Sequence, residues 1–400
     1  MKIIDLLWIM VWSGIYSNIE NLQFTGLFSG VSGFIQAIRC VLPLLALFFC
    51  LLKALVSKHH RIPFFSSPLE LLFYYALVAI ITAGLSPEPL VSLYWGGLYL
   101  SPIMVIWYAM NSNKPLENIR RIMIINYIIF TILILSFIPV LFGGGGIGGW
   151  NDLPFNLGEV NRNGVARYAL IVLIFSLVRF INQKKGSRHL YLLLLLFALY
   201  LLVQTQSRSA LLGLTVVTVL IFRLKGLSWR FLFLGPAFVY IIWMVGYKIR
   251  AEGEFEKLVS LTGRGETWQR GIEQIFASPF FGWGFQADRL LLEFEHMHNS
   301  YLHVAIQSGF LGLLFFAVAI IGVWKLISHN NFFKEKINLE GVNKFLVVES
   351  VAIVAFLTVR SFFESTAAFY GIDELVLVAH IGYLQLVAKL YVTPKVETVK

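Results

Sequence analysis

The chain has 400 residues, 58% hydrophobic and 14% charged, with a mean hydropathy of +0.76 and a formal net charge of +10. A soluble domain carries about a quarter charged residues, so this composition excludes a soluble globular protein. Apolar runs of roughly 20 residues recur, each able to cross a hydrocarbon core about 30 Å thick; they are not the short alternating strands of a membrane barrel. The expected fold is an all-α polytopic membrane protein.

In chain order, about twelve spans are expected, at roughly 3–17, 35–56, 69–85, 90–110, 119–142, 165–182, 190–204, 209–224, 228–247, 301–326, 345–363 and 372–391. The first is short. Its start, MKIIDLLWIM, has no clear small-residue cleavage site, so it reads as a membrane segment rather than a removed signal. Cys40 and Cys50 fall on one predicted helix, separated by about 15 Å along its axis. That is too far for a disulfide, and both read as small packing residues.

With the N-terminus inside, 21 of the 32 Lys and Arg lie in inner segments such as KALVSKHHR, NSNKPLENIRR and RFINQKKGSR, and the other 11 lie on the outer side or at its boundary. That partition follows the positive-inside rule. The basic excess sets topology and implies no nucleic-acid partner. The spans divide the chain into a membrane bundle over 1–247 (spans 1–9), an outer loop over 248–300, and a bundle over 301–400 holding spans 10–12 and a cytoplasmic tail. So long a loop in a compact bundle is more often functional than merely connecting. Short helices are expected in it at about 266–277 and 286–295. A second outer loop, Gly143 to about Asn163, opens with GGGGIGG. It lacks the GK[ST] of a phosphate loop and reads as a hinge.

The outer basic residues are mostly arginines, whose planar fork suits phosphate oxygens and stays charged when partly buried. Arg208, in QTQSRSALLG, sits where the seventh span ends and the eighth begins, among Gln204, Gln206, Ser207 and Ser209. A charge so near the hydrocarbon points to function over a lipid-snorkelling role. Arg264, in TGRGETW, lies between two glycines that let its backbone approach a ligand, and equally reads as a solvated loop charge. In EFEHMHNSYLHVAIQSGFLG, His298 is the better general-base candidate, because it and Asn299 fall at the N-cap of the tenth span. His296 and His303 are alternatives. A metal set of His296, His298, Glu293 and Glu295 is conceivable, but without HExxH or DxD the expectation is no metal. Glu364, in RSFFESTAAFY, can orient an arginine or a hydroxyl, and equally reads as a plain salt-bridge partner of Arg360. Tyr301 can line an apolar wall or a sugar-stacking platform, though plain loop packing accounts for it as well or better.

Three stretches together resemble the O-antigen ligase and polymerase family, membrane glycosyltransferases of bacterial surface-polysaccharide assembly. They are SRSALLG at 207–213, GRGETWQRGIEQIFASPFFGWGF at 263–285, and His298-Asn299 followed after nine residues by Gly309, two residues and Gly312. NRNGVARYAL at 161–170, with Arg167, is similar to the family's polar entry to a preceding span. The resemblance implies a GT-C-like helical fold in the bacterial inner membrane, with its active site facing the periplasm. It implies transfer of a glycan from undecaprenyl diphosphate to an acceptor hydroxyl, with inversion and with neither metal nor cofactor. In that picture Arg208 and Arg264 hold the diphosphate, His298 activates the acceptor, and Asn299, Tyr301, Glu364 and Arg167 support them. The acceptor is lipid A-core for a ligase, the favoured expectation, or a growing glycan for a polymerase. A transporter would call for inverted repeats and polar residues at mid-membrane. No repeat is seen, and the polar residues gather at the outer boundary.

Overall fold

The computed structural model describes residues 2–16, 30–56, 67–138, 162–182, 187–205, 207–224, 264–293, 295–329 and 343–392. Among these, the protein is an all-α polytopic membrane chain. Its helices are α1 (Ile3–Ser13), α2 (Gly30–Val56), α3 (Pro68–Ile81), α4 (Pro89–Met110), α5 (Pro115–Leu135), α6 (Arg162–Asn182) and α7 (Arg188–Thr205). They continue with α8 (Arg208–Leu224), α9 (Arg264–Ala277), α10 (Ala287–Leu291), α11 (Ser300–His329), α12 (Lys344–Arg360) and α13 (Ile372–Val392). Among the described residues, seven stretches are long and apolar enough to cross a membrane, in α2 to α7 and in α11. α8 and α12 have 17 residues each, and α13 carries Asp373, Glu374 and Lys389. Every expected span coincides with a helix except 228–247, which lies outside the described residues, as does the Gly143–Gly149 tract. The short helices expected in the large loop are α9 and α10.

Local chemistry sets several helix starts. At α3, Ser67 Oγ accepts from the Glu70 N–H at 3.4 Å while Glu70 Oε2 accepts from the Ser67 N–H at 3.2 Å. This reciprocal cap, with Pro68 opening the helix, satisfies two donors that have no partner inside the helix. The chain divides into two compact units. The first holds residues 1–122, 259–326 and 361–400, and the second holds 123–258 and 327–360.

In the first unit α4 is central, with α1, α2, α3 and α13 against it. Asp5 on α1 is buried and receives the Arg121 guanidinium through two nitrogens, Nε at 2.9 Å. In the second unit α6 lies along α7 and α8, and α12 packs on α6 and α8. Gly213 is required where α8 meets α12, because a Cβ there would fall 2.7 Å from Phe356. Arg179 of α6 meets the buried Glu349 of α12 at 3.0 Å, its guanidinium 4.4 Å over the Phe175 ring. Breaking one side of such a pair would strand a charge in the bundle.

The feature that positions the site is a break in α11. Gly309 has φ 62° and ψ −166°, a conformation essentially reserved for glycine. The break lies nine residues, about 14 Å, into the helix. Here the segment Ser278–Phe285 folds in beside it. Phe310 N donates to Pro279 O at 2.7 Å and Leu311 N to Phe280 O at 3.4 Å, while Trp283 N donates to Ile306 O at 3.0 Å and Gly284 N to Gln307 O at 2.7 Å. An unbroken helix would pair 310 with 306 and 311 with 307. The inserted segment instead serves all four of those groups, which is the condition for irregular backbone inside a membrane protein. Phe285 anchors the segment: it is wholly buried, with ring centroids 5.7 Å from Tyr75 and 5.3 Å from Tyr99.

Candidate active site

At the N-terminal end of α11, the stretch 295–301 is stitched to 361–366. Asn299 is the cap: its Oδ1 accepts from the N–H groups of Tyr301 at 2.9 Å and Leu302 at 3.1 Å, and its Nδ2 donates to Phe362 O at 3.1 Å. Ser300 is the first helical residue rather than a cap. Its N–H donates to Ser361 O at 2.8 Å, and its hydroxyl has two carbonyls in reach, Glu364 O at 3.0 Å and Thr366 O at 2.8 Å. Tyr301 stacks at a tilt on Phe362, with centroids 5.2 Å apart. Removing the cap in Asn299→Ala should lower stability by about 1–2 kcal/mol. Thermal unfolding in detergent reads this, and a variant melting with the wild type would remove Asn299 from the stitch.

These fixtures present His298. Its φ of 46° is left-handed, a conformation that histidine tolerates better than most residues but that still costs energy. His298 Nδ1 lies 2.9 Å from Glu364 Oε2, and the other carboxylate oxygen accepts from Arg264 Nη2 at 3.2 Å. Arg264 Nη1 donates to Phe363 O at 2.7 Å. The His298 side chain is 35% exposed, Arg264 23% and Glu364 11%. A carboxylate facing Nδ1 favours the tautomer protonated there, and this pairing leaves Nε2 unused. Glu364, read in the sequence as an orienter of an arginine or a hydroxyl, orients a histidine and an arginine together.

Arg264 opens α9, which is docked onto the same stretch. Trp268 Nε1 donates to Met297 O, and a Cβ at Gly271 would fall 2.4 Å from Met297 Cε. Thr267 Oγ1 donates to Glu295 at 2.6 Å and Arg270 reaches the same oxygen. The Thr267 hydroxyl foremost, with the Arg270 guanidinium, holds the Glu295 carboxyl below its ordinary range.

The structure thus gathers His298, Asn299, Tyr301, Glu364 and Arg264 in the first unit. Arg208 and Arg167 belong to the second. Arg208 is exposed as the first residue of α8; the preceding Ser207 hydroxyl donates to Asn163 Oδ1 on α6 at 2.8 Å, joining the N-terminal ends of those helices. Arg167, one turn further along α6, lies 5.0 Å over the Tyr168 ring. The conceivable metal set does not converge, since Glu295 is taken by Thr267 and Arg270, His298 by Glu364, and Glu293 is 89% exposed. His296 and His303 turn instead to Asp288, a residue the sequence reading passed over. Its signal was rarity, as one of only four aspartates in the chain.

Residues 190–317 match the family model described as O-Antigen ligase. The match runs from α7 through most of α11 and contains Arg208, Arg264, His298 and Gly309. The chain is also similar to the exopolysaccharide production protein ExoQ of Rhizobium meliloti (strain 1021), at 27% identity over 325 residues covering 72% of each chain. Both findings support the O-antigen ligase family, as the motifs implied.

Proposed function

We propose that this chain of the O-antigen ligase family is a glycosyltransferase of the periplasmic face of the inner membrane, moving a glycan from undecaprenyl diphosphate to an acceptor hydroxyl. The observation that carries this reading is the His298–Glu364–Arg264 constellation on a capped helix end. His298 Nε2 takes the acceptor proton as the hydroxyl attacks the anomeric carbon, and the Glu364 carboxylate stabilises the imidazolium that forms. Attack opposite the departing diphosphate inverts the configuration. A positioned base of this kind contributes about 10²–10⁴-fold.

The leaving group is a diphosphate, already anionic, so it needs fixed cations rather than a proton donor. Arg264 spends two of its N–H groups on Phe363 O and Glu364. A guanidinium has about five, so most of the fork remains for phosphate oxygens. The family resemblance assigns the second cation to Arg208, the first residue of α8, with Arg167 in support. No step calls for a metal or cofactor.

For the acceptor, the relative matched over 72% of the chain is an exopolysaccharide production protein. That favours a growing glycan and hence polymerisation of repeat units. The family description, O-Antigen ligase, favours the second reading, transfer to lipid A-core. Complementation of two deletion strains, one lacking a polymerase and one a ligase, decides between them. Restored long chains in the first strain mark the polymerase, and restored capping of core in the second marks the ligase. Restoration of neither, with the protein inserted, would remove the transferase reading.

A further inference from the structure

We infer that Asp288, His296 and His303 form a binding site for one divalent transition-metal ion of the zinc class. This goes beyond the proposed transfer reaction and does not rest on it. One ligand atom from each residue falls within a common 4.8 Å. His296 Nδ1 is 3.4 Å from Asp288 Oδ2, and His303 Nε2 is 3.3 Å from Asp288 Oδ1. Ligands about 2.0–2.1 Å from a tetrahedral zinc ion stand about 3.3 Å from one another. Each imidazole already stands at about that distance from one oxygen of the Asp288 carboxylate, His296 from Oδ2 and His303 from Oδ1. Two imidazoles and a carboxylate are also the donor set that zinc and its borderline neighbours take.

The second observation is unmet polarity. Asp288 and His303 are both wholly buried, and neither Asp288 Oδ1 nor either nitrogen of His303 has a hydrogen-bond partner among the described residues. The 3.3 Å approach of His303 to Asp288 makes no hydrogen bond. Buried polar atoms without partners are rare because each gives up its hydration for nothing. The rings are also held in place. Phe369 stacks on His303 at 5.3 Å and 13° and on His296 at 6.0 Å and 27°.

The competing arrangement satisfies His296 by hydrogen bonds alone. Arg289 touches the other nitrogen of His296, Nε2, which would put the ring proton on Nδ1 facing Asp288. That chain of contacts leaves Asp288 Oδ1 and His303 Nε2 unserved. One ion on Asp288, His296 Nδ1 and His303 Nε2 serves both atoms once the Arg289 guanidinium turns off Nε2 and the three donors, now within 4.8 Å of one another, draw to tetrahedral spacing. The ion would tie α10, the stretch ahead of α11 and the first turn of α11 together. His298 lies two residues from His296 and is claimed by Glu364, so the ion is a fastening beside the site rather than part of the reacting set.

The test is metal content. The full chain, purified in detergent through a histidine-free tag, is stripped with EDTA, refilled with zinc, desalted and assayed by mass spectrometry. About one equivalent is expected in the wild type and in His298→Ala, with about five-fold less in His296→Ala, His303→Ala and Asp288→Asn. The His296 side chain is 27% exposed, so its variant is expected to fold even if those at the two buried positions do not. Cobalt refilling of the wild type should give the visible absorption of a four-coordinate site. Wild-type zinc no higher than that of His296→Ala, or cobalt without that absorption, overturns the site. Metal content is read without transfer, so either result leaves the glycosyltransferase reading to its own test.

Discussion

His298→Ala is expected to lower glycan transfer by about 10²–10⁴-fold while leaving the protein inserted and its donor binding largely intact. The expectation follows from where the side chain sits. His298 is not buried packing: about a third of it is exposed, its Nδ1 is committed to Glu364 at 2.9 Å, and Nε2 is the one ring atom left to meet a substrate. Truncation removes the base without opening a core cavity. It also relieves a left-handed backbone position of nothing, because alanine at φ 46° is no more comfortable than histidine. Glu364→Gln should cost less, since an amide can still accept from Nδ1 but no longer balances the imidazolium. Transfer measured with a lipid-linked donor in reconstituted vesicles, beside a melting curve for each variant, reads both effects. A His298→Ala protein that melts normally and transfers at the wild-type rate would leave the base elsewhere in the molecule.

The helical architecture was legible because hydrophobic runs of membrane length are the strongest signal a sequence carries. His298 was singled out among three neighbouring histidines by its spacing to Gly309, and the structure shows what bounds that interval. Asn299 caps α11, and Gly309 breaks it where the Pro279–Gly284 turn inserts. What the sequence could not show is which groups from distant segments come to face one another. Glu364 lies 66 positions from His298. Asp288 lies on a five-residue helix and turns to both His296 and His303. Neither pairing has a periodicity to betray it. Arg264 shows a subtler limit. Its flanking glycines suggested a loop approaching a ligand, yet Gly265 lies in the first turn of α9 with open space around it, and the guanidinium is already bonded to protein. In the proposed reading, phosphate meets only the N–H groups it has left.

The second large effect belongs to Gly309→Ala, which should destabilise the protein by at least about 3 kcal/mol and cost transfer through loss of the folded site. Two independent costs add here. The backbone at φ 62°, ψ −166° is closed to residues with a Cβ, and a Cβ placed there would lie 2.3 Å from Phe280 C and 2.4 Å from Phe280 O. Those contacts are to backbone, so no rotamer change relieves them. The inserted turn would have to withdraw, giving up the four hydrogen bonds that serve residues 306, 307, 310 and 311. The reciprocal change, Gly282→Ala, meets Gln307 C and Ser308 N at 2.5 Å from the other side of the same junction and should fail in the same way. Gly265→Ala is the control: nothing lies within 4 Å of its Cβ, and alanine favours the helix it sits in. Melting temperature and the yield of monodisperse protein in detergent separate the cases. If Gly309→Ala matched Gly265→Ala in both, α11 would have to run unbroken through that position, and the turn would have no place beside it.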